Sequence, residues 1–234
     1  MLAGSDVSAG HAEADRLSDL QIEGESRHAE WMSLMVRNGA LMLEGDDAGL
    51  GAAMQLVIVG RSISRAVDDN SGVYEAMLLS LAGRFDEALP AAMQCLDSQV
   101  IGQTARMNLL VPAVRSLAGL GRYEDALETV EKDFGPMIDS QRKLLQAHQV
   151  VALIVILHQL QRLERIKDIA AVANALSHDH WWGDREARVY LADIIGGDDA
   201  FAALPTPDPA ELTPDRVATL INGLITDIRH EITT

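Results

Sequence analysis

The sequence predicts an all-α protein, an α-solenoid of about five helical hairpins with a C-terminal capping helix, and three observations predict it. A turn signal returns at a nearly fixed interval: LEGDDAGL at 43–50, LAGRFDEAL at 81–89, GLGRYEDAL at 119–127, LQRLERIKDI at 160–169 and IGGDDAFAAL at 195–204. Aligned on Gly45, Gly83, Gly121, Gln161 and Gly197, the steps are 38, 38, 40 and 36 residues, a period that marks stacked helical units. Hydrophobic residues make up 48% of the 234-residue chain but aromatics only 4%, so burial falls to Ala, Leu, Ile, Val and Met, which suit close helix packing better than a sheet sandwich. Between the markers, apolar residues recur at intervals of three and four.

The chain reads as one domain over 1–234. Residues 1–30 form an N-terminal cap with a helix over 8–22, residues 31–204 the repeats, 205–214 a linker and 215–234 the capping helix. In each unit a longer helix reaches the marker and a second helix leaves it. Glycine there takes the left-handed conformation that ends the first helix cheaply. Phe85 or Tyr123 fills the wedge between helices, while Ala88 or Ala126 lets the backbones approach. Phe85, Ala88, Leu89, Ala92 and Leu96 line one stripe of the second unit; Tyr123, Ala126, Leu127 and Val130 repeat it in the third. In the two GDDA versions Asp47 and Asp199 replace the aromatic, and acids favour a helix N-terminus. Pro112 removes a backbone donor inside LLVPAVRSL, which predicts a kink or a break. The run VVALIVIL at 150–157 is too short to span a bilayer and predicts a buried helix. PTPDPAELTP at 205–214 cannot continue a helix. After it, Thr213 as cap and Pro214 in the first turn open a helix whose Val217, Leu220, Ile221, Leu224 and Ile228 share a face.

GRFDEAL and GRYEDALE resemble the turn and second helix of tetratricopeptide repeats, over residues 31–204. That resemblance implies a non-catalytic scaffold that binds a protein or peptide. The repeats are also similar to the sensor region of large ATP-dependent LuxR-type bacterial regulators, and Leu212-Thr213-Pro214 echoes the opening of the DNA-binding domain that follows such arrays. The residues after Gly223 leave no room for a recognition helix, so this alternative is a detached sensor region acting through a partner or small ligand.

A formal charge of −16 repels phosphate backbones and anionic lipid, which argues against direct nucleic-acid or membrane binding. Arg106, Arg115, Arg122, Arg142, Lys143, Arg162, Arg165 and Lys167 give the middle of the chain a more balanced surface. The lone Cys95 excludes an intramolecular disulfide, and the N-terminus lacks a basic region followed by an apolar stretch. A cytoplasmic protein is expected, with a homodimer allowed because apolar helices near array ends self-associate.

First helices of such arrays line the inner surface, so their residues that point away from the hairpin core are the binding candidates. These are Met32, Met35 and Met42; Val73, Met77 and Ser80; Asn108, Val111 and Arg115; and His148, Val151, Val155 and His158. They describe an adaptable apolar groove, with packing against neighbouring helices as the competing reading. Trp181 and Trp182 are read either as a plug between units or as an aromatic anchor for a partner. His148 and His158 stand about 15 Å apart along a helix and cannot share a metal. His178, Asp179 and His180 lack the spacing of a metal-binding helix. No phosphate loop, nucleophile elbow or HExxH motif occurs, so neither catalysis nor a cofactor is expected. The close approach at Ala126 yields a test: Ala126→Trp is expected to disrupt the third hairpin, seen as a lowered or lost thermal unfolding transition by circular dichroism.

Overall fold

In the computed structural model the described residues are 8, 11–16, 30–34, 36–37, 55–60, 62–63, 65–98, 101–177, 195–197, 199–200, 203–205, 207–208 and 212–233; they are mostly helical, with no strand among them. Helices α1 (Arg65–Leu81) and α2 (Phe85–Asp97) form one hairpin. A short α3 (Gln103–Asn108) leads into α4 (Leu110–Gly119), which pairs with α5 (Tyr123–Val130). The pair α6 (Asp139–Gln159) and α7 (Leu163–Ser177) follows, then α8 (Pro214–Thr233).

All three hairpins turn through the same backbone device. Gly83, Gly121 and Gln161 adopt φ of 71°, 73° and 60°. The next N–H reaches back five residues: Arg84 donates to the Leu79 carbonyl at 2.9 Å, Arg122 to Leu117 at 2.9 Å and Arg162 to Leu157 at 2.8 Å. Gly83, Gly121 and Gln161 themselves donate three residues back, to Ser80, Ala118 and His158. This is the Schellman closure, which satisfies carbonyls the helix end would otherwise leave without donors. Each second helix then opens with acids, Asp86 and Glu87, Glu124 and Asp125, or Glu164, which complement its positive end. Gly45 lies outside the described residues. At the fifth marker Gly196 and Gly197 take φ of 114° and 105°, a different conformation from the other three.

Pro112 breaks the first helix of its unit as its chemistry requires. The chain leaves α3 at Leu109 and restarts as α4 at Leu110, so Pro112 falls in the first turn, where no intrahelical N–H is needed. Its carbonyl accepts from the hydroxyls of Ser116 at 2.8 Å and Ser80 at 3.3 Å, which ties α4 to α1.

The first helices pack on one another, α1 on α4 and α4 on α6, and each second helix packs on its own partner and on the next first helix, α2 on α4 and α5 on α6. α4 is therefore buried along Leu110 to Ala118, and α6 along 150–157. Helices without a polar face are central helices. One cluster joins α4, α5, α6, α7 and α8; another joins α1, α2 and α4. Of the N-terminal cap, residues 8 and 11–16 are described and helical, and Ala14 is fully buried where the Ser33 hydroxyl meets its carbonyl at 2.8 Å.

The expected wedge aromatic acts between hairpins. A Cβ on Gly119 would lie 2.3 Å from the Phe85 ring, so the end of α4 must be glycine for α2 to seat on it. At Gly121 a Cβ would meet nothing within 4 Å and only the positive φ resists it. Gly121→Ala should therefore cost about 1–2 kcal/mol whatever stands at 85. Gly119→Ala should be partly rescued by Phe85→Ala, with a coupling above about 0.5 kcal/mol in a urea-denaturation double-mutant cycle.

Candidate functional site

The most elaborated surface feature among the described residues is the channel that holds α8. Its origin lies in α5. Helix α2 has 13 residues, whereas α5 has 8 and gives way to the segment containing Gly135 and Pro136, where Gly135 takes φ of 79°. The shortened helix makes a thinner contact with α6 than α2 makes with α4. α8 lies in the resulting seam against α6 and α5.

Two glutamines on one face of α6 build the floor. The Gln149 amide donates to the Val130 carbonyl at the end of α5 at 2.8 Å, and the Gln146 amide to the Pro214 carbonyl at the start of α8 at 2.7 Å. The far end of α8 meets the α6–α7 corner, so α8 runs parallel to α6. Val217, Ile221, Leu224, Ile225 and Ile228 are buried in the central core, with Leu220 and Ile232 packed at its margin.

Charges flank this apolar stripe in opposite senses. On the α7 side the acids belong to α8: Glu231 accepts from Arg162 Nε at 2.7 Å and from Arg165 Nη1, and Asp227 accepts from Arg165 Nη2 at 2.8 Å. On the α5 side the base belongs to α8: Arg229 donates to Glu131 at 2.8 Å and to Glu124 at 3.3 Å. Each fully buried aliphatic side chain contributes roughly 1.5–3 kcal/mol, against about 0–1 kcal/mol for a solvent-screened ion pair. Strength thus comes from the stripe, while direction and register come from the charges.

Among the described residues, most of the first-helix side chains assigned to an apolar groove are packed inside the protein. Val73 and Met77 lie in the core shared by α1, α2 and α4; Val111, Val151 and Val155 lie in the central one; and Ser80 is buried against α4. For these residues the competing packing reading has a direct cause: first helices pack on one another, which encloses the sides assigned to a ligand. Arg115 and His148 are also buried and already engaged within the protein. Met32 packs beside Trp31, Leu56 and Val59, while Asn108 and His158 are half-buried. Met35, Met42, Trp181 and Trp182 lie outside the described residues, as do His178, Asp179 and His180.

Within the balanced middle stretch, Arg122 pairs with Asp125, Arg106 donates to the Ser98 carbonyl, and Arg162 and Arg165 hold α8, while Arg142 and Lys143 are exposed on α6. Sequence reasoning found the apolar face of α8 but missed the channel, because the opposing charges come from helices some 60 to 105 positions away. The local signal was Asp227, Arg229 and Glu231, which place acids on one flank and a base on the other. Leu212-Thr213-Pro214 opens this packed helix.

No group of three or more potential metal-ligating side chains occurs among the described residues, and no helix among them is long and apolar enough to cross a membrane. Comparisons with family models, curated proteins and solved structures found no match.

The hydrogen bond from Arg162, supported by Arg165, holds the Glu231 carboxyl below the ordinary glutamate value of about 4.5. A depressed folded value adds stability that is present above the ordinary value and lost as pH falls through the folded one. The thermal midpoint of Glu231→Gln is therefore expected to lie below that of the unaltered protein at neutral pH. The gap should close as pH drops below about 4.5, measured by circular dichroism melts across pH.

Proposed function

We propose that this protein is a non-catalytic interaction module, an open tetratricopeptide-like array that grips a protein or peptide partner. The single observation that carries this reading is the identical closure at Gly83, Gly121 and Gln161. A corner recurring at steps of 38 and 40 residues stacks similar units along an axis, and such stacks offer extended seams rather than one enclosed reaction chamber. The seam filled by α8 supplies an example of what the array accommodates: an apolar helix face bordered by charges.

The acidic balance favours partners without a phosphate backbone.

The test is affinity capture by the full chain against a bait of matched acidity, followed by reconstitution with the purified partner. One protein enriched over the matched bait, binding with Kd below about 10 µM, is the expected result. Saturable turnover of a small molecule by the purified chain, with no protein ligand captured, would overturn the reading.

A further inference from the structure

The channel between α5, α6 and α7 is built to hold a helix, and we infer that it is the partner-binding surface, with α8 as its resident occupant and an amphipathic helix from another protein as the ligand that replaces it. This inference rests on the interaction-module reading and names the surface and partner class within it.

Three features of the molecule lead there. The first is a departure from the repeat: α5 stops after Val130 where α2 runs on to Asp97, and along part of this seam it is α8 that packs against α6. The second is that the hairpins do not depend on α8 for their contact with each other. α4 packs on α6 and α5 on α6 directly, and Gln149 already ties the end of α5 to α6. The third is the form of attachment. α8 connects through a segment containing Pro205, Pro207 and Pro209, and its flanking contacts are side-chain ion pairs rather than shared backbone bonds.

The partner's chemistry follows from the walls. It must present aliphatic residues at the spacing of Val217, Ile221, Leu224 and Ile228, which the α6 core receives. It must also carry an acid–x–base–x–acid segment like Asp227, Arg229 and Glu231. The acids meet Arg162 and Arg165, and the base meets Glu124 and Glu131. A helix inserted backwards, or one lacking the central base, leaves Glu124 and Glu131 without their cation. The channel therefore selects direction as well as composition.

A fluorescein-labelled peptide spanning residues 212–233 serves as the probe in trans, titrated against the full chain. Asp227→Lys together with Glu231→Lys in the chain weakens the resident helix but leaves the walls intact. This variant is expected to bind the unaltered peptide at least about tenfold more tightly than the unaltered chain does, because occupancy by α8 reduces apparent affinity. The same two substitutions placed in the peptide should weaken its binding to that variant at least about tenfold. Equal binding by both chains, or none up to about 100 µM, overturns the inference.

Hydrogen exchange on the unaltered chain gives a readout that needs no variant. Amides of α8 should exchange well before those of 150–157; equal protection, which means α8 leaves only on global unfolding, overturns it. So does a dimer by light scattering that excess peptide dissociates, since the channel would then serve a second copy. A captured partner whose affinity ignores the α8 substitutions removes this surface while leaving the interaction-module reading in place.

Discussion

The architecture depends on a backbone hydrogen bond that only a left-handed residue can make possible. At Gly83, Gly121 and Gln161 the chain reverses its handedness for one residue, and the following N–H closes on a carbonyl five positions back. This fixes where each first helix stops and the direction in which its partner leaves. Ala88 and Ala126, both fully buried, then keep the paired helices close. Gln161 makes the same turn with a side chain, and its amide meets the His158 carbonyl at 3.3 Å. The closure is thus set by backbone geometry more than by the absence of a Cβ.

Given those corners, the interior follows from mutual contact among the first helices. α4 and α6 touch helices before and after them as well as their own partners, so neither can keep a polar face. The LLVPAV and VVALIVIL runs satisfy that condition. A polar residue in this setting has to be absorbed, as Ser80 and Ser116 are by bonding the Pro112 carbonyl. The sides of the first helices are thereby enclosed, and the seam beside the short α5 is the one that α8 fills.

Much of the secondary structure was legible because its signals are local. Glycine spacing located the corners, Pro112 located the break at Leu109, and an unbroken aliphatic run identified the interior of α6. The candidate binding residues were not legible to the same degree. Val111 and Val155 have the same side chain and spacing whether they face a groove or a neighbouring helix, and only the contact of one first helix with the next distinguishes these cases. Arg162 and Arg165 carried no visible sign that their charges are met by Glu231 and Asp227 from a helix more than sixty residues later. Pairings of that kind are set by tertiary geometry.

The early stop of α5 limits how this chain could have grown. Tandem duplication lengthens a regular array readily because every new unit covers the one before it. A copy of the α4–α5 unit would bring along its own short second helix and open another gap, while the described residues contain a single α8 to fill one. Gain or loss of units is therefore easier on the α1–α2 side of the molecule, and that asymmetry is a consequence of a helix five residues shorter than its counterpart, 8 against 13.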